Sequence, residues 1–181
     1  MKKLLTTIIL ILCCATLQAQ LPSVAGVQFG TNYEQTKSIL DKRFNGDESS
    51  YQSEKNKLTY YNVEFAGEYF TYAECEFQVD AFNTYLSSVA FYKSFSLSES
   101  VLAKGMRDRL FAEYCKKYPF RWERINEYDY KYYVLGHDYF NSENGFILID
   151  VYKNATRGGT TKLWTVLRYL CNGFVNIQDE I

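Results

Sequence analysis

From Glu74 to Asp80 the chain reads Glu-Cys-Glu-Phe-Gln-Val-Asp, apolar and polar residues in strict alternation. Only a β-strand puts every second side chain on one side, so this stretch commits the chain to a sheet with one packed face and one wet face. The pattern places Cys75, Phe77 and Val79 inward and Glu74, Glu76 and Asp80 outward. Tyr61, Val63 and Phe65 alternate in the same way up to Ala66-Gly67, a turn. Val89, Phe91 and Phe95 continue the pattern beyond Asp80-Ala81-Phe82-Asn83, which reads as a hairpin connection. Three more strands are expected over residues 128–135, 146–152 and 163–171, with 154–161 as the loop between the last two. Seventeen Tyr and thirteen Phe against two Pro in 181 residues suit such strands, because a tyrosine ring packs on a sheet while its hydroxyl stays wet.

Two helices interrupt the strands. Thr31-Asn32-Tyr33-Glu34 fits a capping box with Thr31 as the cap, and Tyr33, Thr36, Leu40 and Phe44 then share one side of a helix that stops at Asn45-Gly46. Ser96-Leu97-Ser98-Glu99 repeats the cap. After it Leu102, Met106, Leu110 and Tyr114 recur every four residues, Phe111, Cys115 and Tyr118 widen the stripe, and Pro119 closes the helix. A stripe this broad needs a sheet to lie on. The expected fold class is α+β, with antiparallel strands and both helices on one face.

The order helix–strand–strand–strand occurs twice, over about 24–95 and 96–172. Residues 76–80 resemble 146–150, and 88–92 resemble 165–169, which suggests two αβββ units in tandem within one domain spanning 20–181. The opening Val24-Ala25-Gly26-Val27-Gln28-Phe29-Gly30-Thr31, leading into a capped helix and three antiparallel strands, resembles the unit of small bacterial envelope proteins. These are the β-lactamase-inhibitor-protein-like domains and the small-protein-A-type lipoproteins of outer-membrane assembly. The resemblance implies a sheet that binds protein rather than a catalytic site, and it carries no motif residue across.

The first nineteen residues have the layout of a secretory signal peptide: Lys2 and Lys3, an apolar run from Leu4 to Leu12, and Ala19 before Gln20. The apolar run is short of the roughly 20 residues of a membrane anchor. Cleavage after Ala19 is the expected outcome, and a lipid anchor on Cys13 or Cys14 is the lesser alternative, since Leu12 rather than a small residue precedes Cys13. The expected destination is the periplasm or beyond. Removing residues 1–19 leaves 162 residues and shifts the net charge from −1 to −3, a balance that argues against nucleic acid and offers no polybasic patch to lipid. Cys75, Cys115 and Cys171 remain, without a CxxC; small buried hydrophobes are the plainer reading and one disulfide the other.

No constellation in the chain names an activity, and no cofactor or metal is expected. His137, the single histidine, sits beside Asp138 with Ser142 and Cys115 as imaginable nucleophiles. Neighbouring strand residues point to opposite sides, however, and Gly136 and Asn141 suggest a turn. The segment 157–162, Arg-Gly-Gly-Thr-Thr-Lys, lacks the following helix of a phosphate cradle and reads as a hairpin tip. Glu74, Glu76 and Asp80 share a face that suits calcium, though an ordinary wet face is the commoner meaning. Asn154-Ala155-Thr156 fits a glycosylation sequon, which means little if the chain is bacterial. The richest candidate surface is aromatic: Trp122, Tyr128, Tyr130, Tyr132 and Tyr139, against the plainer reading that these rings pack beneath the second helix. The expectation is therefore a non-enzymatic envelope protein that binds another protein through its sheet. Glycan or small-ligand binding through the same tyrosines is the alternative, and a hydrolase centred on His137 the remote one.

Overall fold

The computed structural model describes residues 23–46, 51–54, 56–79, 84–117, 122–125, 133–142, 145–155 and 159–171, with 51–54, 122–125, 133–142 and 145–146 described as backbone. The leader with Cys13 and Cys14, the 80–83 connection, and residues 128–132 lie outside the described residues. In chain order the elements are β1 (Ser23–Val24), β2 (Val27–Gln28), α1 (Tyr33–Phe44), β3 (Tyr51–Glu54), β4 (Lys57–Phe65), β5 (Glu68–Val79) and β6 (Thr84–Phe95). A 3₁₀ turn (Leu97–Glu99) then leads into α2 (Ser100–Lys117), followed by β7 (Trp122–Ile125), β8 (Tyr133–Ser142), β9 (Gly145–Ala155) and β10 (Thr161–Cys171).

Strands β3 to β10 form one antiparallel sheet in the order β3-β4-β5-β6-β10-β9-β8-β7, and β1-β2 form a small hairpin. The α+β class with both helices on one face is what the structure has. Among the described residues each helix is followed by four strands rather than the expected three, because the short edge strands β3 and β7 escape a pattern search: four residues hold too few alternations. The last strands of the two sets, β6 and β10, pair along their length at the centre, from Leu163 opposite Phe95 to Leu170 opposite Ser88.

The main core lies between the sheet and the helices. Leu40 of α1 and Met106, Leu110 and Tyr114 of α2 bury against Leu58, Cys75, Phe77, Val89, Ile149 and Leu167. Phe91 is its hub, stacked on Phe65 (centroids 4.2 Å apart, planes 2° apart) and touching Phe44, Phe70 and Tyr169. Tyr60 ties α1 to β4: its hydroxyl donates to Asp41 Oδ1 at 2.8 Å, while Lys37 Nζ donates to Oδ2 at 2.6 Å. A bond to a charged acceptor contributes about 1.5–3 kcal/mol. Thr165 Oγ1 donates to the Ala103 carbonyl at 3.0 Å, and the Tyr114 and Tyr169 hydroxyls bond to each other, so α2 is held on β10. The Arg109–Glu68 pair, bidentate but wet, links α2 to the start of β5 and contributes at most about 1 kcal/mol.

Several local expectations are corrected. The first helix is capped by Asn32, whose side chain accepts from the Gln35 amide, whereas the Thr31 hydroxyl donates back to the Gln28 carbonyl. At Ser96 the cap stands as expected, with the Glu99 carboxylate accepting from the Ser96 amide and hydroxyl, both at 2.7 Å. Leu102 is 58% exposed, and Ala103 and Arg107 take the buried face with Met106 and Leu110. At about 100° per residue a four-residue repeat drifts about 40° each step, so its first member has rotated off the face that its later members share. Tyr61 is 39% exposed because Asn62, at φ +54°, breaks the alternation: Tyr60 points inward before it and Val63 after it. Val79, the last residue of β5, lies beyond Phe77, on which the Tyr33 ring packs, and is 51% exposed.

Two hairpins turn through the same dipeptide. Ala25-Gly26 joins Val24 to Val27, and Ala66-Gly67 joins Phe65 to Glu68, all four residues with positive φ. That is the geometry of the two-residue turn whose twist matches the strands, and alanine is strained in its first position. Ala66→Gly is therefore expected to stabilise the protein by about 0.5–1 kcal/mol, the left-handed strain relieved less the extra freedom of glycine in the unfolded chain. Thermal unfolding followed by circular dichroism should show Tm rising by about 1–4 °C; a lower Tm contradicts the turn assignment.

Candidate functional site

The sheet face opposite the helices is built from the outward positions of the same strands. Where Phe91, Ala73, Val151, Leu163 and Leu167 face the helices, Tyr92, Tyr72, Tyr152, Trp164 and Arg168 alternate to the other side. They gather over the central strands around Ala90 and Val166. Tyr72 and Tyr92 stack at 4.6 Å, and Trp164 meets both edge-on, at 5.7 and 6.4 Å. Tyr92 is only 5% exposed, whereas Tyr72, Tyr152 and Trp164 are half-buried around it. The cluster thus has a dry centre and a half-wet aromatic rim.

Charged groups border the rings. Arg168 Nη2 donates to the Tyr92 hydroxyl at 2.5 Å, and its guanidinium carbon lies 5.9 Å from the Tyr92 ring centre. Lys57 Nζ bridges Glu74 at 3.2 Å and Glu76 at 3.1 Å. Burial lowers the Lys57 pKa, but its bonds to Glu76 and Glu74 outweigh this and leave it raised. The two carboxylates that suited calcium thus hold a lysine; Asp80 lies outside the described residues. Among the described residues no group of three or more His, Cys, Asp or Glu is placed for a metal ion. Below the rings the register of β5 on β6 shifts between Glu76 and Phe77, and a cleft of about 600 Å³ opens there, lined by Lys57, Glu76, Ser87, Ser88, Leu170 and Cys171.

The expected surface falls largely elsewhere. Tyr128, Tyr130 and Tyr132 lie outside the described residues. Trp122 begins β7 in register with Phe140, and Tyr139 sits in β8 in register with Glu123 and Leu148, so these two belong to the outer strands, away from the central cluster. His137 is not in a turn: β8 runs through Gly136 to Ser142, and the His137 backbone pairs with Ile125 on one side and Asp150 on the other. A strand tolerates the glycine there at an irregularity in register between Val134 and His137. Tyr72, Tyr92, Tyr152 and Trp164 were missed because each sits singly at an outward position, with nothing in the local sequence to say that β6 and β10 are neighbours. Cys75 is a buried thiol; Cys115 and Cys171 pack on the rim of the core.

Burial sets the ionisation of this protein. It pushes the Cys75 thiol up to about 12 and raises Tyr60, Tyr72 and Tyr152; it raises Tyr92 too, although Arg168 opposes it. A raised acid stays protonated in the fold while the unfolded chain ionises at the ordinary values of 9.0 for Cys and 10.0 for Tyr. The stability these groups contribute is therefore complete below pH 9 and is lost progressively as pH rises toward the raised values. An alkaline titration is expected to show the phenolate absorbance of Tyr60, Tyr72, Tyr92 and Tyr152 appearing together with loss of circular dichroism, in one cooperative step. Gradual ionisation of all tyrosines with the fold intact contradicts it.

Compared with protein-family models, curated proteins and solved structures, the chain matches none.

Proposed function

We propose that this is an exported, non-enzymatic protein of the bacterial cell envelope that binds a partner protein through the sheet face opposite its helices. The observation that carries the reading is the cluster of Tyr72, Tyr92, Tyr152 and Trp164, apolar surface gathered on a face to which neither helix contributes a residue. Aromatic residues and Arg are the side chains on which protein interfaces concentrate their energy. Export rests on the leader of residues 1–19, and the resemblance to envelope domains points to the same use of a sheet. The doubled helix-then-strands order, with the two sets meeting at β6 and β10, supports a tandem origin of the domain.

The protein reading is favoured over a glycan by the way the rings are used. A sugar stacks on an open ring face, but Tyr92 already has Tyr72 stacked on it and the Arg168 guanidinium against it. Among the described residues no helix is long and apolar enough to cross a membrane, so the reading needs no spanning segment there.

Affinity capture from envelope extract is expected to recover a specific protein with the unaltered chain, and Trp164→Ala to weaken its binding at least about tenfold, or about 1.4 kcal/mol. Val101→Ala, on the exposed side of α2, serves as the control and should leave binding unchanged. Recovery of nothing above background, or equal loss in both variants, refutes the proposal.

A further inference from the structure

Arg168 stands out within this face. Its Nε is buried and has no hydrogen-bond acceptor, and its one described bond is Nη2 to the neutral Tyr92 hydroxyl. The carboxylates nearest along β5, Glu74 and Glu76, are both held by Lys57. Asp150 lies diagonal to Arg168 across the β9–β10 register, and its Oδ1, like the Arg168 Nε, is buried without a hydrogen bond. A half-buried guanidinium whose Nε has no acceptor is costly to keep in a folded chain, because the Tyr92 hydroxyl and the charge of Glu76 offset its lost water without satisfying that donor. Positions of this kind persist where something else supplies the missing acceptor. The rings around it make the site dry enough for a charge pair to count.

We infer that Arg168 is the receptor for a carboxylate side chain, Glu or Asp, of the protein bound on this face. The inference rests on the proposed protein-binding role and names the chemistry of the contact. The carboxylate meets the guanidinium edge, and its carbon stem packs on Trp164, Tyr72 and Tyr152. The bidentate pairing through Nε and Nη2 that Lys does not offer requires Arg168 to turn away from Tyr92, because Nε is buried and Nη2 is bonded to the Tyr92 hydroxyl.

The test uses N-acetyl-glutamate N-methylamide as the probe, N-acetyl-glutamine N-methylamide as its neutral counterpart and inorganic phosphate as the competing oxyanion, each titrated into the full chain while the Arg168 Nε–H resonance is followed. The glutamate probe is expected to shift that resonance saturably, with Kd of the order of 1 mM, and the glutamine probe to leave it in place. Arg168→Lys should weaken the probe about tenfold or more, judged from the Trp164 indole resonance. Tyr92→Phe, which releases Nη2 and keeps the charge, should bind at least as well as the unaltered chain and covers the case in which Arg168→Lys does not fold. Absence of a saturable shift, equal shifts with both amides, or binding of phosphate alone overturns the inference. If Trp164→Ala abolishes partner capture while Arg168→Lys leaves it intact, the binding face stands and the carboxylate contact falls.

Discussion

The alternation of two neighbouring residues on one central strand organises the molecule. Phe91 and Tyr92 lie in β6 and point to opposite sides of the sheet, as consecutive strand residues must. Phe91 gathers Phe44, Phe65, Phe70 and Tyr169 beneath the helices, and Tyr92 gathers Tyr72, Trp164 and Arg168 on the other side. The register that fixes the core therefore also fixes the outer cluster. A slip of one residue in β6 exchanges the two sets, placing a phenol in the core and a phenylalanine on the wet face. The outer cluster is thus held by the central strands of the fold rather than by loops.

Much of this was legible in the chain. The strand alternation predicted Cys75 and Phe77 inward, the Asn45-Gly46 stop sits where α1 ends, and the Glu99 carboxylate closes the second cap. Errors arose where neighbouring residues of similar chemistry compete. Thr31 and Asn32 both make good caps, and the pairing of Leu86 with Gly30 and Thr31 takes the Thr31 backbone into the sheet's margin, leaving the cap to Asn32. Gly136 looked like a turn because glycine usually breaks a strand, yet β8 carries it through a register irregularity. The outer cluster was illegible for a different reason. Its members come from four strands whose order in the sheet, β5-β6-β10-β9, is not their order in the chain.

The charges on the outer face follow the same logic of local sufficiency with one exception. Glu74 and Glu76 repel each other across one strand step, and Lys57 on the neighbouring strand neutralises the pair. That arrangement gives both carboxylates a counter-charge within the sheet. Arg168 has no such arrangement; a tyrosine oxygen is the acceptor it holds. Stability alone favours an apolar residue at a position so enclosed by rings, and an Arg kept there points to a demand other than stability.

The meeting of β6 and β10 has a consequence for the history of each molecule. The twelve-residue β6 is complete long before the chain reaches Thr161, and until β10 forms it is an edge strand with apolar residues on both faces. Such an edge invites pairing with another chain. Contacts between strands so far apart in sequence also close late and slowly. β10 thus joins the two halves of the sheet and covers the free edge of β6, so a chain cut short before residue 161 ends with that apolar edge uncovered.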